Sequence, residues 1–165
     1  MPRWTFELTP DALSATERAT LARQITDTYV EIGIPAFLVN VFFHELRPDC
    51  FYSGGQSPPP AIFFHIDHAA GRFSDHRLAS EERRLAFIAR VNQIVRPILE
   101  PKNLKWEYNI YEHPRDNWRV NGMIPPVENK EVWQQWVDKD EAVPYDENQA
   151  SAEDGKVVFK TVSKA

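Results

Sequence analysis

A proline directly behind the first methionine is the residue of this chain whose type and place most directly suggest chemistry. Removal of Met1 before so small a second residue would leave Pro2 with a free secondary amine. An α-amino group titrates near a pKa of about 7.7 to 8.0 in water, and desolvation disfavours its charged form. Among Trp4, Phe6 and other aromatics the amine would move lower, towards a general base poised at neutral pH. A retained Met1 would instead make that nitrogen an amide with no basicity. Met-Pro alone is a common and bland beginning, so weight falls on the elements that would bury it.

The other reactive side chains carry less. His65, Asp67 and His68 invite a metal, but on a strand His65 and Asp67 share one face and His68 takes the other. One ion could not collect all three without a turn, so no metal is expected. His44 and Glu45 also point to opposite faces. Cys50 is the only cysteine and, in a Pro/Asp loop, has no base visible in the sequence, which favours an inert thiol over a nucleophile.

The elements that must position Pro2 follow from hydrophobic periodicity. Trp4 to Leu8 reads as a first strand that Pro10 and Asp11 end. Ser14 with Glu17 is a capping box, and Leu21, Ile25, Tyr29 and Ile32 recur at helical spacing until Gly33 stops the helix. Leu38 to Leu46 is rich in β-formers and completes a β-α-β unit. Arg47 to Pro60, with two glycines and a triple proline, must be a connection. The order then repeats: a strand over Ala61 to Asp67, a helix opened by Ser80, Glu81 and Glu82 and a fourth strand over Leu104 to Tyr111. That helix buries Leu85, Ile88, Val91, Val95 and Ile98, and Pro97 should kink or end it.

The fold class is therefore α+β: two β-α-β units forming one mixed four-stranded sheet backed by two helices. Residues 1–125 form this domain and residues 126–165 a carboxy-terminal extension. Within the extension a helix is expected near Glu131 to Val137, whose Trp133 and Trp136 cover a neighbouring surface. The polar tail reads as partly disordered, with Val157 to Phe159 able to add an edge strand.

The formal charge is -5 with no Lys/Arg block, which argues against nucleic acid or an anionic membrane as partner and for a small molecule. No signal-peptide pattern and no apolar run near roughly 20 residues occur. With the lone cysteine this reads as a soluble, cytoplasmic protein in a reducing compartment.

Four stretches give the chain a likeness: Pro2 with its strand, RQITDTY (Arg23 to Tyr29), FHEL...FYSGG leading into IFFHIDHAAGR (Phe43 to Arg72), and KWEYNIYEHP (Lys105 to Pro114) followed by Asn-Gly and prolines. In their order the chain resembles the tautomerase superfamily, and within it the cis-3-chloroacrylic acid dehalogenase branch with its fungal relatives. The resemblance implies a cofactor-free enzyme and a homotrimer, in which Pro2 acts as base or acid or orients water. It implies Arg72 as the clamp on a substrate carboxylate, while the position of a second arginine holds Ala69. The family's helix histidine falls at Tyr29, able to hydrogen-bond but not to carry a proton at neutral pH. Tyr108 matches the strand tyrosine that positions substrate and water. The water-activating glutamate has no counterpart; that place holds Arg119, Val120 or Asn121.

Keto-enol tautomerisation of small 2-oxo or enol carboxylic acids, which needs chiefly a base and an oxyanion stabiliser, is the leading expectation. Pro2, Tyr108 and Tyr29 would serve the chemistry, and Arg72, Asn121 and Arg119 the binding. The alternatives are a hydratase, decarboxylase or dehalogenase on acrylate-like acids, which needs a water activator, and a non-catalytic relative that kept the scaffold.

Overall fold

The computed structural model describes residues 1–69, 77–114 and 117–146. Period-two alternation sets its strands. In β1 (Arg3–Leu8) Trp4, Phe6 and Leu8 are buried while Arg3 and Glu7 face out, as a strand with one face on a core requires. β3 (Ala61–His68) turns Ile62, Phe64, Ile66 and His68 inward and leaves Phe63, His65 and Asp67 half-buried on the other face. With β2 (Asn40–Glu45) and β4 (Lys105–Glu112) they form one sheet of order β2-β1-β3-β4. β1 and β2 run parallel, as do β3 and β4, and β1 lies antiparallel to β3. Each parallel pair belongs to one β-α-β unit, and the antiparallel pair joins the two units, as the repeated element order implied.

Helix α1 (Ala15–Val30) opens on the capping box, with both reciprocal Ser14–Glu17 bonds formed. It closes on Gly33 at φ +83°, where the Gly33 and Ile34 N–H groups donate to the Val30 and Tyr29 carbonyls. That glycine closure needs a positive φ that side chains resist. Ile32, expected on the buried stripe, is 67% exposed because it lies beyond the last helical turn.

Helix α2 (Arg77–Leu99) begins before Ser80 and continues past Pro97. The proline removes one hydrogen bond near the helix end, and the chain tightens three residues later into a 3-10 turn over Glu100–Lys102. Val91, Ile94, Val95 and Leu99 meet Leu21, Ile25 and Tyr29 of α1 on the sheet. Leu85 is half-exposed instead: at roughly 100° per residue it stands about a third of a turn from the stripe centred between Val91 and Val95.

The expected strand start at Leu38 is also corrected. Pro35 nucleates a 3-10 turn over Ala36–Leu38, where the Leu38 N–H donates to the Pro35 carbonyl at 3.1 Å, and pairing begins only at Asn40. Buried Leu38 is thereby left at the Pro2 end of the sheet, free of strand geometry.

Past β4, Asn121 (φ +50°) and Gly122 (φ +84°) make a two-residue turn between the paired Val120 and Met123, the conformation that Asn-Gly favours. Helix α3 (Lys130–Lys139) follows, its Asn129 side chain accepting from the Val132 N–H at 3.2 Å. The Val157 to Phe159 strand lies outside the described residues. Among those described, no helix is long and apolar enough to cross a membrane, and no three His, Cys, Asp or Glu residues converge as a metal site.

Candidate active site at the Pro2 end of the sheet

Pro2 is buried one residue ahead of β1, its carbonyl accepting from the Asn40 N–H at 3.1 Å. Arg3 is opposite Asp67 in the β1–β3 register, so continuing by one residue brings Pro2 beside His68. His68 in turn faces Glu112, and its carbonyl accepts from the His113 N–H at 2.9 Å. The carboxyl ends of β3 and β4 thus converge on the start of β1.

Behind Pro2 the wall is aromatic. Tyr29, fully buried, accepts from the Trp4 indole N–H at 3.1 Å, and burial pushes its hydroxyl well above the usual phenol range. It is a fixed neutral dipole, unable to ionise near neutrality. The His68 imidazole, buried as well, stacks on Phe87 at 4.9 Å and stands 6.1 Å from the Tyr29 ring. An imidazole contributed by β3 therefore stands beside Tyr29 of α1. Sequence reasoning had weighed His68 only as a metal ligand; its inward parity on β3, at the end nearest Pro2, was the signal available.

On the outer face, the Asp67 carboxylate lies between two imidazoles, 2.6 Å from His113 Nε2 and 3.5 Å from His65 Nε2. His113 meets the edge of Trp118, over whose ring the Arg3 guanidinium sits at 5.6 Å. In front of Pro2, Met1, Leu38 and Trp136 form a second buried cluster, apart from the main core, to which Trp118, Val120 and Met123 add partly buried surface.

The other expected site residues divide. Arg72, three positions after the buried Ala69, lies outside the described residues. Arg119 is exposed, with Nη1 donating to the Trp118 carbonyl at 2.9 Å. Asn121 is exposed and its backbone serves the turn. Tyr108 pairs with Phe64, four residues from His68 along β3, hence about 13 Å away at strand rise. Its hydroxyl donates to Asn92 Oδ1 at 3.0 Å, and burial raises its pKa. Tyr108 lines two open clefts of about 360 and 410 Å³ on either side of β4, neither of which includes Pro2. One chain brings Pro2, Tyr29 and His68 together and holds Tyr108 apart.

The protein-family profile described as "Putative oxalocrotonate tautomerase enzyme" matches residues 1–141. A probable enzyme from the fungus Aspergillus fumigatus is 36% identical, with a TM-score of 0.80 over 88% of this chain and 98% of its own. N1, a member of the cis-3-chloroacrylic acid dehalogenase family, shares the fold at 20% identity, with a TM-score of 0.63 over 84% of this chain and 97% of that one. A fused 4-OT that forms an asymmetric trimer is 25% identical, with a TM-score of 0.50 over 73% and 94%. Among curated proteins, none matches.

Proposed function

The chain belongs to the oxalocrotonate tautomerase family whose profile spans residues 1–141, and we propose that it is a cofactor-free isomerase in which Pro2, freed of Met1, moves the proton of a 2-enol carboxylic acid. The proline nitrogen takes the enol hydroxyl proton and the same proton is returned to the neighbouring carbon, giving the 2-oxo acid with no change in composition. The burial of Pro2, next in the chain to Met1 of the second cluster and two residues before Trp4 of the main core, carries this reading, because a desolvated secondary amine is neutral at a lower pH than a free one. His68, beside Pro2 in register and backed by Phe87 and Tyr29, polarises the enolate oxygen. Arg72 binds the substrate carboxylate as a bidentate guanidinium.

We propose a homotrimer as well. Tyr108, about 13 Å along the strands from the level of its own chain's Pro2 and two strands across from it, joins a site only where a neighbouring copy brings it to another Pro2, and the trimeric fused relative supports that assembly. A second reading, hydration of an unsaturated acid, is favoured by one observation. The Asp67 carboxylate, held by His113 at 2.6 Å one register step from Pro2, is a candidate activator of water where the family's glutamate is missing.

The test uses protein whose intact mass establishes loss of Met1. Ketonisation of phenylenolpyruvate should be fast in wild type and fall by about 10² to 10⁴ in Pro2→Ala. The acetylenic acid 2-oxo-3-pentynoate, an acceptor for an amine nucleophile, should add its mass to the Pro2 peptide. Equal rates for wild type and variant at the buffer background would end the tautomerase reading. Hydration of an acrylate lost in Asp67→Asn would establish the second.

A further inference from the structure

Met1 is 8% exposed and buried with Leu38 and Trp136, and the residues around it come from three separated segments. Leu38 is on the 3-10 turn before β2; Trp118, Val120 and Met123 flank the Asn-Gly turn; Trp136 is on α3. Side-chain hydrogen bonds pin these segments to each other. The Phe37 N–H donates to Asp140 Oδ1 at 2.9 Å and the Trp133 indole to the Gly33 carbonyl at 3.1 Å. The Trp136 indole donates to the Val143 carbonyl at 2.8 Å and the Tyr145 hydroxyl to the Ile124 carbonyl at 2.6 Å. With the Trp133 and Trp136 indoles and the Tyr145 hydroxyl directed to backbone carbonyls, the side chains clustered with Met1 present hydrocarbon and ring surface.

We propose that, once Met1 is removed, this surface is the specificity pocket of the Pro2 site and accepts an apolar substituent of about the bulk of a methionine residue. The inference rests on Pro2 being the reacting amine. In the unprocessed chain Met1 is joined to the proline nitrogen and packed against this wall, so it stands in for a substrate whose reacting carbon approaches that nitrogen. The substituent on that carbon enters the wall of Leu38, Trp118, Val120 and Trp136. A second carboxylate there would lose its water among four uncharged side chains, the Arg3 guanidinium being already held over the Trp118 ring, which disfavours dicarboxylates. The substrate class is therefore 2-enol or 2-oxo monoacids carrying an aryl or branched alkyl group, and the carboxy-terminal segment is the element that selects them.

Titration calorimetry with unreactive acids separates this pocket from the chemistry. On Met1-free protein, 3-phenylpropanoate should bind at least about tenfold more tightly than hexanedioate, the effect of burying a ring in place of a charge. Protein kept in its Met1 form, made in cells treated with a methionine aminopeptidase inhibitor, should lose the tighter binding. Val120→Arg, and independently Met123→Lys at the other end of the turn, should reverse the preference, provided each keeps the wild-type circular dichroism. Hexanedioate binding as tightly as the aryl acid to Met1-free wild type, or undiminished aryl-acid binding by the Met1 form, would overturn the pocket. Pro2→Ala should lose turnover and keep the preference. A preference without any proline-dependent turnover in wild type removes the isomerase reading and leaves the pocket standing.

Discussion

The main core and the cluster at the Pro2 end are both rich in aromatic side chains, yet they are assembled differently. The main core is periodic: alternate residues of β1 and β3 and the inner stripes of α1 and α2 meet around Phe6, which stacks on Phe43 at 5.0 Å and Phe64 at 4.6 Å. The second cluster has no period. It gathers Met1, Leu38, Trp118, Val120 and Trp136 from one terminus, one irregular turn, the flank of the Asn-Gly turn and a helix of the carboxy-terminal extension. Side chains that follow a period are constrained by the fold, whereas side chains held by turns and single hydrogen bonds can vary with the ligand. The first cluster should therefore govern whether the chain folds, and the second what it binds.

The largest separation of the two is expected from truncation in the main core. Phe6→Ala removes a fully buried ring with stacked neighbours on two strands and should cost about 3 to 5 kcal/mol. Urea unfolding would read that loss, while turnover per folded molecule should stay within about twofold. A large drop in turnover at unchanged stability would put the site in the main core and dissolve the comparison.

Trp136→Phe is the counterpart at the other cluster. It keeps a buried ring and removes the indole donor to the Val143 carbonyl, so stability should fall by about 1 kcal/mol. The ratio of aryl to alkyl monoacid turnover should shift further than stability does, because the wall of the pocket changes shape. A loss of stability like that of Phe6→Ala, with the substrate ratio unmoved, would make Trp136 a core residue in all but name.

The same contrast decides what could be read from sequence. The capping box at Ser14, the alternation in β1 and β3, and the doubled β-α-β order are local signals, and each appears in the structure within a few residues of its expected place. Misplaced boundaries fell where a local signal competed with another. At Leu38, β-forming composition yielded to the turn that Pro35 nucleates, and at Pro97 the helix ran on two residues past its breaker before it ended. The site was less legible because its parts meet only in three dimensions. Pro2 and Tyr29 could be named, but His68 declares itself only when β3 is paired with β1, and the wall around Met1 only when α3 folds back to Gly33. Tyr108 shows the converse: a residue of the right type on the right strand, with its hydroxyl engaged by Asn92 and its position fixed by Phe64.

The smallest expected effect lies at the far side of the main core and reads its electrostatics alone. Glu17 accepts from the Ser14 N–H at 2.7 Å and pairs with Lys102 Nζ at 2.8 Å, tying the start of α1 to the turn after α2. The Lys102 ammonium, ahead of the Ser14 backbone, holds its carboxyl down from 4.5 to about 2. A depressed carboxylate pKa means that the unfolded state binds the proton more readily. The stabilisation is therefore complete above about pH 4.5 and fades as pH falls towards 2. Glu17 lies near the surface, where solvent screens the pair, so the contribution should be about 1 kcal/mol or less. The difference in urea midpoint between wild type and Glu17→Gln should be present at pH 6 and shrink between pH 4.5 and pH 2.5, with substrate preference unaltered throughout. A difference that stayed constant with pH would assign the effect of Glu17 to packing and hydrogen-bond geometry, because a neutral glutamine would then differ from glutamate for reasons other than charge.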